Sequence, residues 1–460
     1  MTAATIGAPV LDGLPPRQRL AAMVTLFLAV GLAVLDSAIA NTALPTIATD
    51  LSASPAASIW VINAYQLALV VSLLPLAALG EIMGFRRIYI AGLILFTAAS
   101  LVCAASSTLP TLAGARILQG FGASGIMSVN TALIRVIYPS RQLGRGVGFN
   151  ALVVAISSAI GPSVASAILA VASWQWLFAV NVPIGIVAIA LALRALPSSP
   201  RSDARFDWGS ALLNAAFFGL LVVSIGEGAQ QASRVLVACE LVGALVTGIV
   251  LIRRQARMAA PMLPVDLFRR PIFALSAATS FCSFAAQGLA YVALPFYFET
   301  VLGRSAVETG LLLTPWPVVV GILAPIAGNL SDRYNPGMLG GFGLAGLSIG
   351  MVLMATMPAD PSVFDIVWRM AVCGGGFGFF QSPNLRALMS SAPPGRSGGA
   401  SGIVATARLM GQTVGAALVA LCFNFSAAHG PTLALALGAG FAAAASVASF
   451  LRLLAPAPTH

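Results

Sequence analysis

The sequence predicts an all-α integral membrane protein in which two six-helix bundles flank two additional central helices, giving fourteen membrane-spanning helices. Three observations support this prediction. Hydrophobic residues make up 58% of the 460 residues and charged residues only 8%, whereas a soluble domain carries about 25% charged residues. Apolar stretches long enough to cross a bilayer recur along the chain. Polar residues that interrupt the first half also recur in the second half in the same order.

The apolar stretches define the helices in chain order. Each has about 20 residues, which at about 1.5 Å per residue is enough to cross a hydrocarbon core of roughly 30 Å. The predicted spans are 20–44, 57–79, 88–106, 110–134, 147–171, 175–196, 208–226, 234–252, 272–298, 306–329, 338–357, 363–388, 400–424 and 431–452. They divide the chain into an N-terminal segment (1–19), a first six-helix bundle (20–196), linkers with inserted helices seven and eight (197–271), a second six-helix bundle (272–453) and a tail (454–460).

The basic residues predict how these helices are oriented. All 24 are arginines, and the net charge is +10. Among the arginines in the loops and at the helix ends, only Arg234 and Arg304 fall on the side opposite the N-terminus, so the excess follows the positive-inside rule. We therefore expect a multi-pass protein of the cell (inner or plasma) membrane with both termini in the cytoplasm. The basic charge marks topology and does not indicate a nucleic-acid partner.

The composition argues against catalysis and metal binding. The five cysteines lie inside predicted helices without CxxC spacing, and the two histidines, His429 and His460, lie near an outer loop and at the C-terminus. This pattern indicates neither a metal site nor a histidine-based catalytic site. We expect a protein that is not an enzyme and that has no cofactor.

Three polar marks recur at an offset of about 250 residues. The first is a short loop with an acid and arginines. The second is an intramembrane arginine followed by glycines and an asparagine, as in 116–130 and 369–384. The third is a polar helix, at 154–166 and 405–417. This offset exceeds what six helices need, so two extra helices must lie between the halves. Such internal repeats are typical of secondary transporters.

Four motifs carry a family resemblance. They are LDSAIANTALP (35–45), WVINAYQLA (60–68), RILQGFGASG (116–125) and WQWLFAVNVPIG (174–185). In this order they resemble the fourteen-helix drug:proton antiporter branch of the major facilitator superfamily, the DHA2-like multidrug efflux transporters, from about residue 20 to 453. The resemblance implies proton-coupled export, with the proton gradient as the energy source.

The chain departs from the branch at two motifs. In the loop after helix two the family's Asp-Arg pair is Glu81-Ile82, while the second copy keeps Asp332-Arg333. The antiporter motif of helix five keeps Gly161-Pro162, which can allow a bend or a close helix contact, but continues with Ser163, Val164, Ala165 and Ser166. For the short loops we predict charge-assisted bonds to neighbouring helix ends that gate the transporter. The residues concerned are Gly80, Glu81, Gly84, Arg86, Arg87, Asp332 and Arg333.

Asp36 is the candidate coupling residue. If helix one enters the membrane near residue 20, Asp36 lies about 24 Å into a core of roughly 30 Å, and Arg116 reaches a similar depth on helix four. An unpaired charge there costs about 2.5–3.5 kcal/mol. The two residues are therefore expected to pair, either as a fixed structural pair or as a proton-exchanging site. Glu240 in helix eight is a weaker candidate, and Arg369 mirrors Arg116 without an evident acidic partner.

A substrate cavity between the bundles is expected to combine aromatic residues with sparse polar groups. The candidates are Tyr65, Gln66, Gln119, Asn150, Gln287, Tyr291, Trp316 and Gln381. An apolar cavity with one acid suits a small lipophilic cation. The predicted function is proton-coupled export of amphipathic, cationic drugs by a monomer embedded in the lipid bilayer. Two alternatives stay open: a carrier of a specific metabolite or lipid-like molecule, and a non-transporting sensor or channel.

Overall fold

The computed structural model confirms an all-helical membrane architecture with fourteen helices long and apolar enough to span a bilayer. The structure describes residues 13–199, 201–202, 206–229, 233–258, 265–391, 397–426 and 429–454. The spanning helices are α1 Pro16–Thr42, α2 Pro55–Met83, α3 Phe85–Ala104, α4 Leu109–Ile137, α5 Arg145–Leu169, α6 Gln175–Ala195, α7 Trp208–Gly226, α8 Arg234–Gln255, α9 Pro271–Val301, α10 Ala306–Leu330, α11 Pro336–Ala355, α12 Val363–Ser391, α13 Gly402–Phe425 and α14 Gly430–Leu451.

Helices α1–α6 and α9–α14 form two six-helix bundles. In the first, α4 packs against α2 and α3, and α1 against α5 and α6; in the second, α12 packs against α10 and α11, and α9 against α13 and α14. Most of the helices are longer than the sequence predicts, because their ends continue past the apolar stretch. The side of the molecule that carries the start of α1, the α2–α3 loop and the α10–α11 loop is called the arginine-rich side below.

Proline and glycine set the local breaks in these helices. A short helix, Leu44–Asp50, follows α1 and has Pro45 in its first turn. Helix α10 is interrupted at Thr314, before Pro315 and Pro317, because proline cannot donate the backbone hydrogen bond that would continue the preceding turn. Gly84 separates α2 from α3 with φ of +99°, a conformation that residues with a side chain rarely adopt.

Glycines bring the same helices together in both bundles. A Cβ added to Gly120 on α4 would lie 2.4 Å from the carbonyl oxygen of Tyr65 on α2, and one added to Gly374 on α12 would lie 2.4 Å from that of Trp316 on α10. In both cases the added Cβ would meet a backbone atom of the neighbouring helix, which cannot move aside as a flexible side chain can. The bundles therefore repeat one packing scheme at an offset of about 250 residues.

The inserted helices lie beside the contact between the bundles. Helix α7 packs against α2 and α13, one helix from each bundle, and α8 packs against α7. Asn214 of α7 donates a hydrogen bond to the Val71 carbonyl of α2 at 2.9 Å. At the arginine-rich end Asp207 accepts a bond from Arg254 at 2.8 Å. Partial burial raises the pKa of Asp207, but hydrogen bonds from Arg254 and Ser210 outweigh it and lower the pKa to about 2.

The bundles meet in a closed seam on the side opposite the arginine-rich side. Ser163 of α5 is hydrogen-bonded to Thr314 of α10 at 2.9 Å, and Ser166 of α5 donates to the Val307 carbonyl of α10 at 2.9 Å. Closer to the middle of the molecule, Thr413 of α13 donates to Gln66 of α2 at 3.3 Å. These contacts close one side of the space between the bundles.

Candidate functional site

The structure brings Asp36 and Arg116 together inside the first bundle. Arg116 Nη1 lies 2.5 Å from Asp36 Oδ2, and each side chain is 1% exposed. Asp36 is on α1, six residues before its end, and Arg116 is in the second turn of the antiparallel helix α4. Asp36 is near the C-terminal end of α1 and Arg116 near the N-terminal end of the antiparallel α4, so both lie towards the side opposite the arginine-rich side, as the predicted depth match requires.

Two amide side chains complete the hydrogen bonding of the carboxylate. Gln119 Nε2 and Asn181 Nδ2 donate to Asp36 Oδ1 at 2.8 and 2.7 Å. Gln119 also donates to Ser100 Oγ at 2.9 Å. Together with Arg116, three side chains therefore donate to this one buried carboxylate. We call Asp36, Arg116, Gln119 and Asn181 the Asp36 cluster.

Arg116 has further partners besides Asp36. Its Nε donates to the Val61 carbonyl at 3.0 Å, and its Nη1 donates to Gln119 Oε1 at 2.6 Å. The rings of Tyr65 and Phe178 lie 4.2 and 5.6 Å from its Cζ. These aromatic faces attract a cation in a desolvated site. The guanidinium is therefore held by groups that do not depend on the charge of Asp36.

A pocket of about 990 Å³, counting its open part, lies between the two bundles beside this cluster. Its walls come from α1, α2, α4 and α5 of the first bundle and α9, α10 and α13 of the second. The lining residues are Ala33, Val34, Ser37, Ala38, Asn41, Thr42, Tyr65, Gln66, Leu69, Met127, Ser158, Pro162, Gly288, Tyr291, Val292, Leu313, Pro317, Arg408, Leu409 and Gln412. The pocket is therefore bounded by helices of both bundles.

The predicted cavity residues fall into two groups. Tyr65, Gln66 and Tyr291 line the pocket. The other five lie outside its lining. Gln119 belongs to the Asp36 cluster, Asn150 accepts a hydrogen bond from Asn130, Gln287 accepts one from the lining residue Gln412, Trp316 is fully buried against Tyr291, and Gln381 lies on α12.

Tyr65 separates the pocket from the Asp36 cluster. Its side chain lines the pocket, while its ring stacks over Arg116 and its hydroxyl donates to the Ala33 carbonyl at 3.3 Å. Ala33 and Ser37 of α1 line the pocket on either side of Asp36 in sequence, whereas Asp36 itself faces α4 and α6. A molecule in the pocket would touch the neighbours of Asp36 and not the carboxylate.

Gly161 and Pro162 lie where α5 meets two other helices. A Cβ added to Gly161 would be 2.4 Å from the Ala38 side chain of α1, and one added to Gly310 of α10 would be 2.4 Å from the Pro162 carbonyl. Pro162 also lines the pocket. The motif therefore allows the close helix contact that was predicted for it, at the edge of the closed seam.

The structure corrects the prediction about Arg369 and places Glu240 outside this site. Arg369 does have an acidic partner, because its Nε lies 3.1 Å from Asp365 one turn earlier on α12. It also does not mirror Arg116: counted from the matching glycines Gly120 and Gly374, the equivalent position is Met370, which is fully buried. One residue rotates a helical side chain by about 100°. Glu240 lies on α8, outside the pocket lining.

The short loops on the arginine-rich side bond within their own bundles. Arg86 donates to the Leu193 carbonyl near the end of α6, and Asp332 accepts a bond from Arg386 of α12. Gly80 lets α2 approach Val129 of α4. The side chains of Glu81, Arg87, Asp332 and Arg333 are exposed. The bonds to neighbouring helices agree with the predicted contacts, while the gating role stays a prediction.

Three important residues were not singled out from the sequence. Asn181 lies within the quoted sixth-helix motif, and its amide is the signal that could have pointed to Asp36. Arg408 and Gln412 lie one turn apart on α13 and both line the pocket. An intramembrane arginine on a polar helix was visible, but its direction around the helix axis was not.

Solved structures with the same fold support this description. The chain aligns with a bacterial homologue of the human lysosomal transporter Spinster at a TM-score of 0.70, with 15% identity over 97% of this chain and all of the other. It aligns with a D-xylose-proton symporter at a TM-score of 0.68, with 15% identity over 94% of this chain and 97% of the other. These likenesses concern the fold.

Sequence relatives cover almost the full chain. An uncharacterized Escherichia coli transporter, YebQ, is 54% identical over 97% of this chain and 98% of its own length. The riboflavin transporter RibZ of Clostridioides difficile is 28% identical over 88% of this chain and 89% of its own. The multidrug efflux pump LfrA of Mycolicibacterium smegmatis is 28% identical over 89% and 82%. The model of the Major Facilitator Superfamily matches residues 26–416, and the protein belongs to this superfamily of secondary transporters.

Proposed function

We propose that this transporter exports amphipathic compounds in exchange for protons, by alternating access of the pocket between the bundles. The observation that carries the proposal is the buried Asp36–Arg116 pair, which lies one side chain away from the pocket. Intramembrane acids of this kind commonly act in proton relays. Asp36 is proposed as the proton-coupling residue, with Arg116 controlling its protonation.

The Asp36 cluster can accommodate both charge states of the carboxyl group. When Asp36 is ionised, it pairs with Arg116 and accepts from Gln119 and Asn181. When it is protonated, Arg116 keeps the Val61 carbonyl, the Gln119 oxygen and two aromatic faces. A residue that exchanges a proton during each cycle needs such alternative partners, because an uncompensated buried charge is costly.

Tyr65 provides a physical route for coupling. A substrate that presses on the Tyr65 ring pushes the stacked Arg116 towards Asp36, and a closer guanidinium favours release of the proton from the Asp36 carboxyl group. Movement of α1 can also change the distance between Asp36 and Arg116. Ala33 and Ser37 line the pocket, and Asp36 lies between them on the same helix.

The proposed cycle also implies how the protein is oriented in the membrane and which side of the pocket is closed in this structure. If the arginine-rich side is cytoplasmic, as the positive-inside rule predicts, the closed seam faces the outside. The protein would then reside in the inner or plasma membrane with both termini in the cytoplasm. We propose that it works as a monomer in the lipid bilayer and uses the proton gradient without a cofactor.

Transport by purified protein in liposomes tests the coupling. The probes are fluorescent, membrane-impermeant naphthalenes: naphthalene-2-sulfonate and 2-naphthyltrimethylammonium. An imposed pH gradient should drive saturable transport by the wild type and none by Asp36→Asn. Asp365→Asn removes the acid of the Asp365–Arg369 pair, which lies on α12 outside the pocket lining, and should leave gradient-driven transport intact. If correctly folded Asp36→Asn transported the probe under the pH gradient as well as the wild type does, the proposed role of Asp36 would be refuted.

A carrier of a specific metabolite is a second candidate. It is favoured by Ser166, which stands where the antiporter motif has a glycine, and by similarity to a protein named as a riboflavin transporter. Riboflavin is therefore included in the same liposome assay. Transport of riboflavin with neither naphthalene probe transported would favour this candidate over drug export.

A further inference from the structure

The charge of the pocket is opposite to that expected for a cation exporter. Among the described residues that line the pocket, Arg408 is the charged one. The carboxylate of Asp36 lies behind Tyr65 and is already satisfied by three donors. A cation in the pocket would therefore meet a guanidinium and no exposed acid, so that electrostatics would oppose its binding.

Arg408 differs from the other two intramembrane arginines in its surroundings. Its Nε is buried without a hydrogen-bond partner, and no acid in the described part of the chain forms an ion pair with it. The Phe284 ring lies 5.5 Å from its Cζ. By contrast, Arg116 and Arg369 each have a carboxylate. A membrane arginine without an acid marks a substrate path by default.

The walls around Arg408 supply further polar groups. Gln412, one turn further along α13, lines the same wall and donates to Gln287 at 3.0 Å. Asn41 on α1 also lines the pocket, and its Oδ1 is buried without a partner. The pocket is thus lined on the α13 side by a guanidinium with an unpaired Nε and on the α1 side by an amide with an unpaired Oδ1. Leu69, Met127 and Val292 make the surroundings apolar.

We infer that the pocket selects amphipathic anions, whose carboxylate, sulfonate or phosphate group pairs with Arg408. A guanidinium binds such groups with two parallel hydrogen bonds, which fixes the substrate's orientation. The apolar body of the substrate fills the space between the bundles, and a donor group on it reaches Asn41. This inference rests on the proposed function in one respect, namely that the pocket is the transport site.

An anionic substrate changes the driving force of the cycle. Exchange of one proton for one monovalent cation moves no net charge, whereas a proton entering and a monoanion leaving both move positive charge inward. Export of the anion should then be driven by an inside-negative membrane potential even without a pH gradient. Export of a monovalent cation by the same stoichiometry should not respond to the potential.

Equilibrium binding to the purified protein in neutral detergent tests the charge preference directly. The probes are naphthalene-2-sulfonate, naphthalene-2-sulfonamide and 2-naphthyltrimethylammonium, which share one ring system and differ in charge, together with the three anthracene counterparts. In the wild type a sulfonate should bind at least about tenfold more tightly than the matched sulfonamide or ammonium. Arg408→Gln should reduce the affinity for the sulfonate to that for the sulfonamide, and Arg408→Lys should retain part of the preference.

Matched variants separate this inference from other effects. Arg369→Gln also removes an intramembrane arginine, but one outside the pocket, and should leave the preference unchanged. The binding comparison uses no proton gradient, so failure of proton coupling and failure of anion selection give different results. Circular dichroism and thermal unfolding check the fold of each variant, and the comparison within the wild type needs no mutation.

Three results would overturn the inference. The first is a wild type that binds the ammonium as tightly as the sulfonate. The second is the absence of sulfonate binding at millimolar concentration with either ring system. The third is an unchanged preference in a folded Arg408→Gln variant.

Discussion

At the scale of single residues, two intramembrane arginines have opposite surroundings. Arg116 is enclosed by a carboxylate, a carbonyl and two aromatic rings, whereas Arg408 faces a pocket with its Nε unpaired. The sequence could predict that Asp36 and Arg116 reach the same depth, because helix rise is regular. It could not predict that Arg408 lines the pocket, because the rotation of α13 about its axis depends on packing with α2, α7 and α9.

Arg116→Met leaves Asp36 buried and without its cation, so it should destabilise the protein by about 3–5 kcal/mol. The double variant Asp36→Asn with Arg116→Met removes both charges and should be more stable than Arg116→Met alone, because the second bundle already carries a buried methionine, Met370, at the matching position. Thermal unfolding of the purified variants measures the coupling between the two sites. Additive losses would show that the pair contributes no interaction energy.

At the scale of helices, glycine contacts determine which helices approach closely. A Cβ added to Gly122 on α4 would lie 2.4 Å from the backbone nitrogen of Phe96 on α3, and one added to Gly376 on α12 would lie 2.3 Å from that of Leu347 on α11. The glycine runs predicted tight packing but not its register. The one-residue error at Arg369 arose because its alignment to Arg116 relied on residue type, while the glycine contacts fix the true correspondence.

Gly122→Ala should destabilise the first bundle by about 1–3 kcal/mol, since a methyl group cannot fit against a backbone that does not yield. Gly114→Ala is the matched control on the same helix, because a Cβ there would have nothing within 4 Å. The control should be neutral or slightly stabilising, since alanine favours a helix over glycine. Thermal unfolding in detergent measures both, and equal effects of the two variants would contradict the packing account.

At the scale of the whole molecule, the bundles are joined by few polar contacts on one side of the pocket. The sequence predicted the six, two, six arrangement of helices because the repeats and their spacing are visible in one dimension. It could not predict the seam, because contacts such as Ser163 with Thr314 join residues that are distant in sequence. The seam also places Ser166, a departure from the antiporter motif, against the Val307 carbonyl of α10.

Ser163→Cys combined with Thr314→Cys should allow the seam to be locked. The two hydroxyl oxygens are 2.9 Å apart, so cysteine sulfurs at these positions would lie within reach of each other. The exposed Cys239 is replaced by serine in all variants. Oxidation should abolish transport in liposomes and a reductant should restore it, while the two single-cysteine variants stay active. Full transport by the cross-linked protein would contradict a cycle in which this side opens.

The most direct test of the central claim is proton release from Asp36 during substrate binding. Purified protein in weakly buffered detergent solution is mixed with the probe that binds most tightly, and a pH-sensitive dye reports protons released or taken up. The account predicts proton release on probe binding by the wild type and by Asp365→Asn and none by Asp36→Asn, with binding retained in all three. An equal proton exchange in folded Asp36→Asn would contradict the assignment of coupling to this residue.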